Sequence, residues 1–245
     1  MLPLNKVMKK TIIILHGWGL CGLKYKGLSD LFKKEGYEVY APDMPGFGSE
    51  PLCKQSNQGT NLTLSDYVDF LDKFIRVKKI QKPILLGHSF GGRVAIKYAY
   101  EHPEKILSLI LTGVPVIRER SFKKKIAFLA AVTGGKVFSF FPENVRMKFR
   151  KGLYFLIGEW DYYNSGKLKN VFKNIISEDL IQYLKEIKNP IVLIWGSEDR
   201  LTPAFGVPKI KKIVPQSKSV IIKGIGHKLP YEDPLIFVKT IKPLL

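Results

Sequence analysis

The sequence predicts an α/β protein: a mainly parallel sheet of about six or seven strands, flanked by helices, with a helical insertion late in the order. Three observations carry this. Short apolar runs alternate with helical stretches at Thr11–Leu15, Pro83–Leu86, Ile106–Gly113, Pro190–Trp195 and Ser219–Ile222, the pattern that builds parallel sheets covered on both faces. One run ends in Gly87-His88-Ser89-Phe90-Gly91, a tight turn between a strand and a helix. The alternation then stops between about residues 115 and 185 and resumes afterwards. At 245 residues the chain is long enough for one such core.

In chain order, Thr11-Ile12-Ile13-Ile14-Leu15 reads as the first buried strand, with His16-Gly17-Trp18-Gly19 in the loop at its end. Only ten residues precede it, enough for one short strand at most. Tyr25 to Lys34 and Leu64 to Lys78 carry helical spacing, and Asp43 to Ser49 reads as a strand end with a Pro-Gly turn. Pro83-Ile84-Leu85-Leu86 is the strand before the serine turn, and Gly92 to Glu101 the helix after it. Glu178 to Ile187 is the candidate core helix leading into the strand at Pro190.

Gly-x-Ser-x-Gly between a strand and a helix is the pattern that exposes a nucleophilic serine. A Cβ at Gly87 or Gly91 would clash with the turn or the helix start, and the helix aims its positive end at Ser89. A serine needs a base, and the base needs an orienting acid. Of the four histidines, His16, His88, His102 and His227, only His227 lies late in the chain after an acidic loop. That loop, Gly196-Ser197-Glu198-Asp199, offers two carboxylates. Asp199 is the favoured acid because Glu198 reads as a solvated turn residue. The order Ser89, Asp199, His227 is the one expected for this turn. The oxyanion of an acyl-transfer intermediate calls for two backbone N–H donors, each worth about 3 kcal/mol. Phe90, after the serine, and Trp18, in the first strand's loop, are the expected donors, with their side chains lining the substrate site.

These landmarks, His16-Gly17-Trp18-Gly19, Asp43 to Ser49, Gly87 to Gly91, Gly196 to Asp199 and Gly226-His227, resemble the α/β-hydrolase superfamily over nearly the whole chain. They are most similar to its carboxylesterases and carbon–carbon bond hydrolases, the meta-cleavage product hydrolases among them. The resemblance implies a core of residues 1–114 and 186–245, with residues 115–185 as a helical cap. It implies a serine hydrolase that cleaves carboxylic esters of small to medium acyl chain, lactones included, through an acyl-enzyme. Carbon–carbon hydrolysis and acyl transfer use the same triad. A receptor-like binding protein on the same fold is the alternative of another class, although a binder has no need of the three residues.

No cofactor or metal enters this scheme, and no His/Cys cluster suggests one. The expected partner is a small-molecule ester. The net charge of +19 is spread along the chain, with Lys123-Lys124-Lys125 its longest run. No nucleic-acid-binding motif accompanies it, so a solvated surface is expected, with at most weak affinity for anionic surfaces. The cap segment is aromatic, with Phe122, Phe128, Phe138, Phe140, Phe141, Phe149, Tyr154, Phe155, Trp160, Tyr162, Tyr163 and Phe172. Cys21 and Cys53 fall in loops and do not suggest a disulfide scaffold. Without a signal-peptide pattern or a run of 18 apolar residues, a cytoplasmic location is expected.

Overall fold

A computed structural model describes residues 9–49, 61–117, 142 and 168–245. Six parallel strands form one sheet among them: β1 (Thr11–Leu15), β2 (Glu38–Tyr40), β3 (Ile84–His88), β4 (Ser108–Thr112), β5 (Ile191–Gly196) and β6 (Lys218–Ile222). Their order is β2-β1-β3-β4-β5-β6. The described helices are α1 (Lys26–Lys34), α2 (Leu64–Val77), α3 (Phe90–Glu101), α4 (Lys169–Ser177), α5 (Ile181–Glu186), α6 (Gly206–Ile213), α7 (Leu229–Glu232) and α8 (Pro234–Ile241). Strand and helix bounds depart from the sequence reading by a residue or two, as ends usually do. The exception is the 178–187 helix, which is shortened to Ile181–Glu186. Residues 1–8, which fall in the stretch with room for one short strand at most, and most of the expected cap lie outside the described residues.

Alternation along the strands splits the core in two. Ile13, Leu15, Leu85, Leu109, Leu111 and Leu193 face one layer with the buried residues of α2, α3, α5 and α6. Ile12, Ile14, Ile84, Leu86, Ile110 and Ile194 face the other, against Leu28 and Phe32 of α1 and Phe237, Val238 and Ile241 of α8. Continuous Ile and Leu runs are what a sheet buried on both faces demands. In α2 the buried residues Leu64, Tyr67, Val68, Leu71 and Ile75 fall on one stripe. Its first turn is closed by Asp66, whose carboxylate accepts from the Thr63 N–H at 2.7 Å and the Thr63 hydroxyl at 2.6 Å.

The chain leaves β1 toward β2 on one side and returns with β3 on the other. The crevice at the carboxyl ends of β1 and β3 is therefore a topological switch point, where open α/β sheets bind ligands. Loop His16–Gly19 and residue Ser89 both sit there. The approach is tight. A Cβ on Gly91 would lie 2.1 Å from the Leu15 carbonyl oxygen, and one on Gly87 would lie 2.4 Å from Gly92 Cα.

Arg93, one turn into α3, fastens the ends of the region between β4 and β5. Its guanidinium donates to the carbonyls of Pro115 at 3.0 Å, Ile175 at 2.8 Å and Glu178 at 2.6 Å. Lys97, one turn further along the helix, pairs with the Glu178 carboxylate.

Gly91→Ala forces an overlap with the β1 backbone and is expected to cost about 1–3 kcal/mol or more. Gly27→Ala on α1 meets only Pro234 Cγ at 3.5 Å. It should be neutral or stabilising by up to about 1 kcal/mol. Urea melts of the two variants beside wild type check the contrast.

Candidate active site

Ser89 caps α3 with φ 51° and ψ −114°. For a residue with a Cβ this backbone is strained, by about 1–3 kcal/mol. Two hydrogen bonds hold it: Ser89 N–H donates to Thr112 O at 2.9 Å, and Gly92 N–H donates to Ser89 O at 3.1 Å. Ser89 is thus tied to the end of β4 while its helix starts over the end of β1.

The next residue of the β4 end is Gly113, at φ +59°. The imidazole of His227 lies against it: a Cβ there would be 2.7 Å from His227 Cε1 and 2.9 Å from Nδ1. Only glycine suits both the backbone and the contact. His227 follows β6 and precedes α7. Its Nδ1–H donates to Asp199 Oδ2 at 2.8 Å.

Asp199 is 4 % exposed, and its carboxylate is fully engaged. Oδ1 accepts from the N–H groups of Leu201 at 3.0 Å and Thr202 at 2.8 Å. Oδ2 accepts from the Thr202 hydroxyl at 2.8 Å as well as from His227. A buried charge is tolerable only when paired and hydrogen-bonded in this way. Glu198, the rival carboxylate, is exposed, and its N–H is bonded to Ile225 O at 2.9 Å. That bond, with Ser197 N–H to Ile222 O at 2.8 Å, ties the loop after β5 to the loop after β6. Trp195 Nε1–H to Thr202 O at 2.7 Å secures the far side of the Asp199 turn.

Trp18 and Phe90 meet edge to face, ring centroids 5.3 Å apart. Trp18 also touches Phe47 and, on α4, Phe172 at 5.0 Å. The Phe90 ring is buried and packs on Tyr67 at 4.9 Å. The other proposed cap aromatics lie outside the described residues, as does Cys53. Cys21 is a half-buried free thiol.

Two histidines not assigned to catalysis are buried here. His16 Nδ1–H donates to Gly17 O at 2.9 Å, and its Nε2 accepts from Met44 N–H at 2.9 Å. His88 lies between Tyr25 Oη at 2.6 Å and the His227 carbonyl oxygen at 3.0 Å. Burial lowers the pKa of His16, and burial together with His227 holds that of His88 well down. Asp43 anchors the neighbouring turn by accepting from Gly22 N–H, Ser49 N–H and the Ser49 hydroxyl. Burial opposes its ionisation, but these bonds outweigh that and keep its carboxyl below the usual range.

Sequence reasoning missed Gly113, Thr202 and Tyr25. Gly113 ends an apolar strand and Thr202 stands three residues after an aspartate, the signature of a side-chain-closed turn. Nothing local marks Tyr25. Among the described residues no group of three His, Cys, Asp or Glu side chains is placed to hold a metal, and no helix is long and apolar enough to cross a membrane.

A parallel sheet with a strained Gly-x-Ser-x-Gly turn and an Asp–His pair at its carboxyl edge defines a recognisable class. The family model for the alpha/beta hydrolase fold matches residues 10–151, and the chain belongs to that family. It is similar to a Mycoplasma pneumoniae protein provisionally named esterase/lipase 2, 29% identical over 97% of this chain and 89% of that one. It is also similar to the pimeloyl-[acyl-carrier protein] methyl ester esterase of Wigglesworthia glossinidia brevipalpis, 26% identical over 95% and 92% of the two chains. Among solved structures, an alpha/beta hydrolase enzyme from the metagenome of lagoon sediments at Mar Chica, Morocco, superposes with a TM-score of 0.68. The two are 23% identical over 97% of this chain and 90% of that one.

The buried histidines give stability a pH slope. Unfolded, each titrates near 6.5; folded, each titrates lower. Above 6.5 both states are neutral at these sites. As pH falls below 6.5 the unfolded chain takes up protons that the folded one resists, so stability is lost. The thermal midpoint is expected to fall between pH 7.5 and about 5.5. His88→Gln should make that slope shallower, and equal slopes in the two proteins would refute it.

Proposed function

We propose that the protein is a serine esterase that hydrolyses carboxylic esters of small to medium acyl chain, with Ser89, His227 and Asp199 as its triad. The carrying observation is the 2.8 Å bond from His227 Nδ1 to a buried, saturated Asp199, beside the β4 end that also holds Ser89. The names of the relatives support ester hydrolysis.

The Nδ1–H bond to Asp199 fixes the imidazole tautomer and leaves Nε2 as the base. In the proposed cycle Ser89 Oγ attacks the ester carbonyl carbon as Nε2 takes its proton. The oxyanion is received by the N–H groups of Phe90 and Trp18, at the positive end of α3. Nε2–H then protonates the leaving alcohol, and an acyl group remains on Ser89. Water, deprotonated by Nε2, attacks the acyl carbon, and the serine regains its proton as the acid leaves. Asp199 stays ionised throughout and stabilises the imidazolium.

Residues 115–185 are proposed as the lid over this site. The support is their position between β4 and β5, the α4 contact of Phe172 with Trp18, and the attachment of both ends to Arg93. The lid's apolar side chains would receive the acyl chain.

Turnover of p-nitrophenyl esters from acetate to dodecanoate tests the reading. Ser89→Ala and His227→Ala should each lower kcat by about 10⁴-fold or more. Asp199→Asn should lower it by about 10³–10⁴-fold with the chain still folded. Glu198→Gln, a change on an exposed side chain, should stay within about threefold of wild type. Wild-type turnover surviving Ser89→Ala would overturn the assignment. The best chain length measures the acyl pocket.

A further inference from the structure

We propose that Tyr25 and His88 are positioning residues that set the spacing between the oxyanion loop and the base, through one buried hydrogen-bond chain. This rests on the reading of Ser89, Asp199 and His227 as the triad. The chain runs from Gly17 N–H to Tyr25 Oη at 3.0 Å, from Tyr25 Oη to His88 Nδ1 at 2.6 Å, and from His88 Nε2 to His227 O at 3.0 Å.

Its polarity is fixed by the two ends. The carbonyl of His227 only accepts, so His88 Nε2 carries the proton. Neutral His88 then has a bare Nδ1, which accepts from the Tyr25 hydroxyl. Having given its proton, the Tyr25 oxygen accepts from Gly17 N–H, which only donates. Each group has one partner of the required kind, and the three-link chain has no second arrangement with His88 neutral. Burial keeps His88 neutral and pushes the Tyr25 phenol upward, so neither middle member titrates near neutral pH.

The ends matter for what they adjoin. Gly17 immediately precedes Trp18, the proposed oxyanion donor. His227 supplies the base itself, and His88 is the residue before the nucleophile. One side chain fixed beside Ser89 thus references both the donor and the base to it. Tyr231 on α7 packs against both members, with ring centroids 5.6 Å from Tyr25 and 5.9 Å from His88. A Cβ on Gly17 would stand 3.1 Å from His88 Nδ1, so the oxyanion loop is seated directly on this ring. Misplacing a reacting group by about 1 Å costs on the order of 10²-fold in rate, so a positional role of this kind is visible in kcat.

The experiment compares Tyr25→Phe, His88→Leu and His88→Gln on p-nitrophenyl butyrate. Active sites are counted by a fluorophosphonate, and thermal midpoints are measured beside the kinetics. Tyr25→Phe and His88→Leu should lower kcat per titrated site about tenfold or more, with KM within about twofold, because the lost order acts on the transition state rather than on substrate binding. His88→Gln keeps an N–H able to reach the His227 carbonyl and should remain within about threefold of wild type. Unchanged kcat per site with lowered midpoints in Tyr25→Phe would overturn the proposal, leaving only a structural role. So would a His88→Gln rate as low as that of His88→Leu. Should His88→Leu fail to fold, Tyr25→Phe and His88→Gln decide the matter: kcat per site unchanged in Tyr25→Phe, or as low in His88→Gln as in Tyr25→Phe, would overturn the proposal. Ser89→Ala in the same assay separates the failures: turnover that survives it refutes the triad, whatever the network variants do.

Discussion

Helix α3 begins in contact with the carbonyls at the end of β1, and the geometry of the candidate site depends on that approach. With no room for a Cβ at Gly91 or Gly87, the turn between β3 and α3 is compressed, and Ser89 takes a backbone that a serine adopts only under constraint. The bond from its N–H to Thr112 O makes β4 part of the constraint. Three neighbouring strands therefore determine one side chain's direction. The strain is small beside the two buried layers that oppose its release.

Beside the imidazole of His227, the charge that the site holds is the Asp199 carboxylate. Asp199 is buried, and each oxygen of its carboxylate accepts two hydrogen bonds. The two other buried histidines at this edge, His16 and His88, are both disfavoured as cations by burial. In the proposed cycle an imidazolium at His227 would thus meet the Asp199 carboxylate and no competing positive ring from His16 or His88. In a region of low effective dielectric such an arrangement does more than it would in water.

Much of this was legible in the sequence because the signals are local. The five strands that the sequence marked are short apolar runs, four of them buried, and the serine turn is a five-residue pattern with its strand and helix on either side. The strand Glu38–Tyr40 is short, and the sequence marked only its end, at Asp43 and so beyond the residues that pair. The choice between Asp199 and Glu198 was not decidable locally, since two adjacent carboxylates differ only in which way the turn points them. Burial and the bond to His227 separate them in space. Gly113 was hidden for a related reason: its need for a bare Cα arises from a ring 114 positions later in the chain. Tyr25 was hidden because a tyrosine at a helix start ordinarily reads as packing, and its hydroxyl finds a use only once β1 and β3 lie side by side. Aromatic residues of the 115–185 segment could be counted but not sorted, because helical spacing does not say which face meets the core.

The three bonds of Arg93 have a consequence for how this protein can change over evolutionary time. They reach main-chain oxygens at Pro115, Ile175 and Glu178 rather than side chains, and a carbonyl is offered by every amino acid. The attachment is therefore indifferent to which residues the intervening segment contains. Residues between the two attachments can change without breaking these bonds, and both ends stay moored to α3. The side-chain contacts of Lys97 with Glu178 and of Trp18 with Phe172 are bound to particular residues, whereas these three bonds require only that Arg93 be kept.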